Sequence, residues 1–73
     1  MRYEINNKDE IIIDTKENRG YSYDDIEDMY EDAFWEAYED DDCDVVYALK
    51  CVLEHIEDGY NGDLFELIYD MVN

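Results

Sequence analysis

The sequence predicts an α+β fold in which a short N-terminal β-hairpin packs on a three-helix bundle. Residues 1 to 16 contain two short runs of β-branched and aromatic residues around a polar turn. Residues 22 to 72 contain three stretches with apolar residues at helical spacing. With 73 residues, 47% of them apolar, the chain suits one small domain and is too apolar for a disordered acidic tail. We therefore expect a single domain over residues 1 to 73, without internal repeats.

The hairpin is predicted from strands at residues 2 to 5 and 10 to 15, joined by the turn formers Asn6 to Asp9. Successive side chains of a strand point to opposite faces, so every second residue is expected to face the core. The inward set is predicted to be Tyr3, Ile5, Ile11 and Ile13. Ile12 would then lie on the other face, and residues 17 to 20 would form a connector.

The first helix is predicted over residues 22 to 40. Ser22 is a favourable N-cap, and Tyr21 and Ile26 have the spacing of a hydrophobic staple across the first turn. The apolar residues that follow recur at the spacing of one helix face. They are Ile26, Met29, Tyr30, Ala33, Phe34 and Ala37.

The second helix is predicted over residues 44 to 58. The run from Asp40 to Asp44 precedes it and can supply its N-cap and first-turn carboxylates. Gly59 is a natural residue to end it. Its buried stripe is predicted to be Val45, Ala48, Leu49, Val52, Leu53 and Ile56.

The third helix is predicted over residues 62 to 72, with Asn61 as its N-cap. Tyr60 and Phe65 have the spacing of a second staple. Its buried stripe is predicted to be Leu64, Leu67, Ile68, Met71 and Val72. Three apolar stripes of similar width can close on one another, with the hairpin over the open side.

The net charge of −18 is distributed unevenly. Residues 21 to 44 contain twelve carboxylates and no Lys, Arg or His, whereas the four bases of residues 1 to 20 leave that segment nearly neutral. Along a helix the stretch from Asp24 to Asp44, which holds all twelve, gives one negative charge per ~2.6 Å. This lies between about 1.7 Å for duplex DNA and 3.4 Å for a single strand. Such a patch repels nucleic acid and anionic membranes and attracts basic partners. The N-terminal bases could rest against it.

The acidic side of the first helix is the predicted partner-binding surface. Ordinary helix surfaces intersperse acids with Lys or Arg, and here that compensation is absent. The candidate binding residues are Asp24, Asp28, Glu31, Asp32, Trp35, Glu36, Tyr38, Glu39, Asp40, Asp41 and Asp42. Trp35 is either an exposed anchor in their midst or a core residue covered by the hairpin at Ile12. Tyr47 and Tyr69 are expected on the outer sides of their helices.

Metal binding and catalysis are the chemical alternatives. Asp40, Asp42 and Asp44 imitate the first ligands of an EF-hand loop, but the loop's Gly and bidentate Glu are missing. Cys43, Cys51 and His55 are possible zinc ligands without a CxxC pair. The two cysteines are too far apart on a helix for a disulfide, so we expect reduced thiols. No nucleophile with a base and no phosphate-binding Gly loop is found, so we expect no enzyme, metal or cofactor.

The stretch YSYDDIEDMYEDAFWEAYEDDDCD resembles the DNA-mimic inhibitors of phages and mobile elements. These include anti-restriction proteins of the Ocr type, uracil-DNA glycosylase inhibitors and acidic anti-CRISPR proteins. The resemblance lies in size, charge and helix-face composition over residues 21 to 73. Since such inhibitors share no single fold, the resemblance implies a mode of action and no particular fold. That mode of action is to occupy the DNA-binding or PAM-reading channel of a defence nuclease.

These observations predict an inhibitor that binds a basic DNA-binding channel, with a CRISPR effector as first candidate target and a restriction enzyme or DNA glycosylase as alternatives. The expected partner is a basic nucleic-acid-binding protein, with no direct binding to nucleic acid or membrane. The N-terminus lacks the apolar segment of a signal peptide, so the expected location is the cytoplasm of an infected bacterial host. A second hypothesis is a small acidic protein-interaction module unrelated to nucleic acid, either monomeric or homodimeric.

Overall fold

A three-stranded antiparallel sheet precedes three packed helices, which confirms the α+β class and adds one strand to the predicted hairpin. The computed structural model describes residues 1–37 and 43–72. The strands, in sheet order, are β1 (Tyr3–Asn6), β2 (Ile11–Asp14) and β3 (Arg19–Ser22). The helices are α1 (Tyr23–Ala37), α2 (Val45–Glu57) and α3 (Leu64–Val72). The predicted extension of α1 to residue 40 lies outside the described residues.

The two turns of the sheet are built alike, eight residues apart. The Asn6 side-chain oxygen accepts the backbone N–H groups two and three residues ahead, both at 3.1 Å. The Asp14 carboxylate does the same at 3.1 and 3.3 Å. Each turn ends in a residue with left-handed backbone, Glu10 (φ 53°) or Asn18 (φ 55°). Both turns thus share one sequence pattern, Asn or Asp followed by any residue, Lys and an acid, at residues 6 to 9 and 14 to 17. The prediction of a connector over residues 17 to 20 was wrong, because the second turn leads directly into β3.

The core side of β2 is the opposite of the predicted one. Ile12 is fully buried, whereas Ile11 and Ile13 are half-buried on the outer face. The register explains the difference, because Ile12 lies directly between Ile5 on β1 and Tyr21 on β3 and must share their face. The core side of the sheet carries Tyr3, Ile5, Ile12 and Tyr21. The prediction was right for β1 and wrong by one residue for β2.

Local hydrogen bonds fix the start of α1 and both ends of α2. Ser22 Oγ accepts the backbone N–H of Asp25 at 3.0 Å, and the Asp25 carboxylate accepts that of Ser22 at 3.1 Å, which is a capping box. Asp44 alone of the described carboxylates caps α2, accepting from the Tyr47 backbone at 3.0 Å. Gly59 (φ 98°) ends α2 in a Schellman motif, as its position predicted.

The α2–α3 connection differs from the prediction. The cap of α3 is Asp63, whose carboxylate accepts the Phe65 backbone N–H at 2.9 Å, so the helix begins two residues later than predicted and Asn61 is not its cap. Phe65 is consequently exposed, and Tyr60 stacks on Tyr3 with ring centroids 6.5 Å apart. The staple prediction was therefore wrong, and the connection anchors the N-terminal strand instead.

The three helical stripes meet in one core beneath the sheet. All predicted stripe residues are buried or partly buried except Ala37, which is exposed at the end of α1. The fully buried centre consists of Tyr3, Ile12, Ile26, Val52, Ile56, Leu64 and Ile68. No described helix has both the length and the apolar character needed to cross a membrane.

Candidate partner-binding face on the first helix

The sequence of α1 contains seven carboxylates and no base. Two of these acids have a structural use at the start of the helix. Asp25 belongs to the capping box, and Asp24 lies in the first turn, where the positive end of the helix dipole stabilises a carboxylate. The acids further along the helix have no such compensation. The surplus charge therefore concentrates from Glu27 onward.

The predicted acidic face of α1 is solvent-exposed along its whole described length. The described carboxylates of this face are all exposed; they are Asp24, Asp28, Glu31, Asp32 and Glu36. Neighbours three or four residues apart on a helix have Cβ atoms about 5 to 6 Å apart, so these carboxylates form a continuous row along α1. Five further predicted binding residues lie outside the described residues, namely Tyr38, Glu39, Asp40, Asp41 and Asp42.

No base within residues 1–37 and 43–72 forms an ion pair with this face. The ion pair of the described chain joins Arg2 to Asp14 at 3.0 Å within the sheet. Arg19 lies over the ring of Tyr21, 5.2 Å from its centroid. The expectation that the N-terminal bases rest against the acidic patch is thus wrong for Arg2, whose guanidinium is held by its own sheet. The face is left with its negative charge unneutralised by these side chains.

Trp35 lies on the exposed side of α1 with 47% of its surface accessible. Its ring meets that of Phe34 edge-on, with centroids 5.3 Å apart. Phe34 is buried, so this contact holds the indole against the helix while about half of its surface stays accessible. The alternative in which Ile12 covers Trp35 is wrong, because Ile12 belongs to the core beneath the sheet.

A groove between α1 and α3 adjoins the acidic face and was not predicted. It has a volume of about 230 Å³, with Asp32 and Glu36 on its α1 side and Phe65 and Tyr69 on its α3 side. Phe65 and Tyr69 are 43% and 49% exposed. The sequence feature that could have predicted this groove is the pair Phe65 and Tyr69, which lie four residues apart beside the buried stripe of α3. Assigning Phe65 to a staple concealed it.

The cysteine and histidine side chains show no metal-binding arrangement in the described part of the chain. No group of three His, Cys, Asp or Glu side chains there could hold a metal ion. Burial, with the charge of Glu31 adding to it, raises the pKa of the Cys43 thiol, which disfavours the thiolate that metals require. Cys51 hydrogen-bonds with Tyr47, which raises the pKa of that tyrosine, and His55 is exposed. Asp40 and Asp42 of the EF-hand-like pattern lie outside the described residues.

A second cavity, of about 550 Å³, lies between β1 and the end of α2. Its ionisable side chains are Glu4, Glu57 and Tyr3, and the Tyr3 hydroxyl donates to the Gly62 carbonyl at 2.6 Å. Burial raises the pKa of Tyr3 to about 12, so this hydroxyl stays protonated and acts as a donor. The described lining of this cavity offers no nucleophile paired with a base.

Comparison with protein-family models, curated protein sequences and solved structures finds no match for this chain. The acidic face, Trp35 and the adjoining groove are therefore interpreted from their own chemistry.

Proposed function

We propose that this protein inhibits a nucleic-acid-binding protein by presenting the acidic face of α1 in place of a nucleic-acid backbone. The observation that carries the proposal is the exposed row of carboxylates on α1, with no described base paired to it. Lys and Arg side chains that grip phosphates bind carboxylates by the same charge-assisted hydrogen bonds. The proposed target is the basic DNA-binding or PAM-reading channel of a host-defence nuclease, with a CRISPR effector as first candidate and a restriction enzyme or DNA glycosylase as alternatives.

Rigidity supports this mode of binding. The carboxylates lie on one helix whose start is fixed by a capping box and whose inner side contributes Ile26 and Ala33 to the core. A preorganised array loses little conformational entropy when a partner binds it. Loose acidic side chains on a disordered segment would lose more.

The test is inhibition of DNA binding by a CRISPR effector loaded with its guide RNA. A triple reversal on the face, D28K/D32K/E36K, is expected to abolish inhibition. The matched control, E54K/E57K/E66K, makes the same change in net charge at exposed positions of α2 and α3. It is expected to retain most of the inhibition. Circular dichroism checks that both variants are folded.

Competition and salt complete this test. Binding to the effector should weaken strongly between low and high salt and should be lost when target DNA already fills the channel. A flat salt dependence, or equal binding to the DNA-filled effector, would contradict the proposal. So would equal losses in the two triple variants.

A second candidate function is a small acidic interaction module that uses its aromatic side chains on a protein unrelated to nucleic acid. Exposed aromatic residues occur on all three helices, and such residues are common anchors of protein interfaces. They are Trp35, Tyr47, Phe65 and Tyr69. This function is favoured if W35A abolishes partner binding while the triple reversal has no effect. Sedimentation measures whether the chain is a monomer or a homodimer.

A further inference from the structure

The groove between α1 and α3 combines two kinds of side chain on opposite sides. Asp32 and Glu36 lie one turn apart on α1, and Phe65 and Tyr69 lie one turn apart on α3. Its floor is apolar and includes Ala33 and Ile68, which are buried. The groove therefore offers carboxylate oxygens on one side, aromatic surface on the other and an apolar base.

The size of the groove fits one side chain. Its volume of about 230 Å³ is below the ~300 to 1,000 Å³ of typical small-molecule sites. None of the described residues that line it is basic, so its two carboxylates have no cation among that lining. A positively charged side chain from another molecule would supply the missing charge.

We infer that this groove receives one arginine side chain of the partner, so that the surface discriminates arginine from lysine. A guanidinium is planar and weakly hydrated, stacks on aromatic rings and donates two parallel hydrogen bonds to carboxylates. An ammonium is compact and strongly hydrated, and loses more solvation on entering an apolar-floored groove. The arginine methylenes would pack on the apolar floor, as long basic side chains do elsewhere. The inference rests on the proposed function, since the arginine belongs to the basic surface that the α1 face would cover.

The experiment is a nuclear magnetic resonance titration of the ¹⁵N,¹³C-labelled protein with N-acetyl-arginine amide and, separately, N-acetyl-lysine amide at low salt. The arginine derivative is expected to shift the ring resonances of Phe65 and Tyr69 and the backbone amides of Asp32 and Glu36, saturably and together. The lysine derivative is expected to bind there about tenfold more weakly. Equal binding of both derivatives, or shifts spread evenly along α1, would overturn the inference.

Two double variants isolate the groove from the general charge. D32N/E36Q removes both groove carboxylates and is expected to weaken binding of the arginine derivative about tenfold. E54Q/E57Q removes the same charge from exposed positions of α2, outside both the groove and the acidic face of α1, and is expected to weaken it less than about twofold. Equal weakening in the two variants would also overturn the inference. Both changes reduce the net negative charge without altering buried residues, and the amide spectrum of each variant verifies its fold.

The outcome is separable from that of the inhibition test, because no nuclease is present in the titration. If the groove shows no preference for arginine while D28K/D32K/E36K still abolishes inhibition, the inference fails and the proposed function stands on charge alone. If arginine binds the groove selectively but DNA binding by the effector is never inhibited, the proposed function fails and the groove is left as a site for an arginine of another partner.

Discussion

The Asp14 carboxylate receives two hydrogen bonds from the guanidinium of Arg2, from Nε and from Nη2, each at 3.0 Å. Asp14 is almost fully buried and also accepts backbone N–H groups of the second turn, so one side chain joins β1, β2 and the turn to β3. A third guanidinium nitrogen donates to the Asn61 carbonyl at 3.2 Å. Arg2 therefore links the sheet to the α2–α3 connection. Because its guanidinium is engaged there, it does not neutralise the carboxylates of α1.

The Arg2–Asp14 pair predicts a specific pH dependence of stability. The hydrogen bonds from Arg2 lower the pKa of Asp14 below its usual value of 3.8. A depressed carboxyl pKa contributes stability that is fully present above the unfolded-state pKa and is lost as the pH falls through the folded-state value. The free energy of unfolding of the native chain should therefore exceed that of D14N by a constant amount near neutral pH. That difference should shrink below about pH 4.

Urea denaturation of both proteins between pH 7 and pH 2.5 measures this difference. D9N is the matched control, because Asp9 is an exposed carboxylate in the first turn. A D14N difference that persists unchanged at the lowest pH would contradict the assignment of this stability to the ionised carboxylate.

The buried face of β2 gives a prediction from two adjacent residues of the same type. I12A should destabilise the protein by about 3 kcal/mol, because it leaves a cavity at a fully buried position. I13A should cost about 1 kcal/mol or less, because Ile13 is half-buried on the outer face. A domain of 73 residues has a stability of about 4 to 11 kcal/mol, so I12A is expected to lower the melting temperature severely. Thermal denaturation of the two variants measures this, and the reverse order would show that the register is off by one residue.

The same residues show how far the sequence determined the fold. Helical periodicity predicted all three helices and nearly all of their buried residues, because each stripe repeats over several turns. β2 has three consecutive isoleucines, so alternation cannot say which of them faces inward until the partner strands are known. β3 has only four residues, one of them a glycine, so its own composition does not indicate a strand. The sequence feature that indicates it is the turn pattern of residues 6 to 9, which recurs at residues 14 to 17.

The candidate site was predictable in part for a similar reason. The exposed carboxylates of α1 follow from the helical period, and their positions on the outer face are confirmed. The groove depends on how α1 and α3 pack, which a single-sequence pattern does not contain. Because α3 begins at Leu64 with Asp63 as its cap, Phe65 lies at the rim of the groove and not in the predicted staple. An error of two residues in the position of one helix cap therefore hid the α3 side of the groove.

The unbalanced charge predicts that salt stabilises the folded protein. With a net charge of −18 and one described ion pair, repulsion between carboxylates outweighs attraction in the folded state. Raising NaCl from about 10 mM to about 500 mM should screen this repulsion and raise the melting temperature. The neutralising variant D28N/D32N/E36Q should be more stable than the native protein at low salt and should respond less to added salt. A melting temperature that falls with added NaCl would show that attractive ion pairs dominate.

The exposure of Trp35 predicts that its removal affects binding more than stability. W35A should weaken binding to the partner by about 2 kcal/mol, or about thirtyfold, because an aromatic ring held by Phe34 within a charged rim has the features of an interface anchor. Its effect on folding should be about 1 kcal/mol, since the edge-on contact with Phe34 is what the folded protein loses. Y47A is the matched control, because Tyr47 is 66% exposed on α2 and carries no carboxylate row beside it. Calorimetric titration against the target effector measures both variants. No weakening in W35A would show that the partner recognises the charge of α1 without an aromatic anchor. Equal weakening in the two variants would contradict a specific role for Trp35 and would favour the aromatic interaction module.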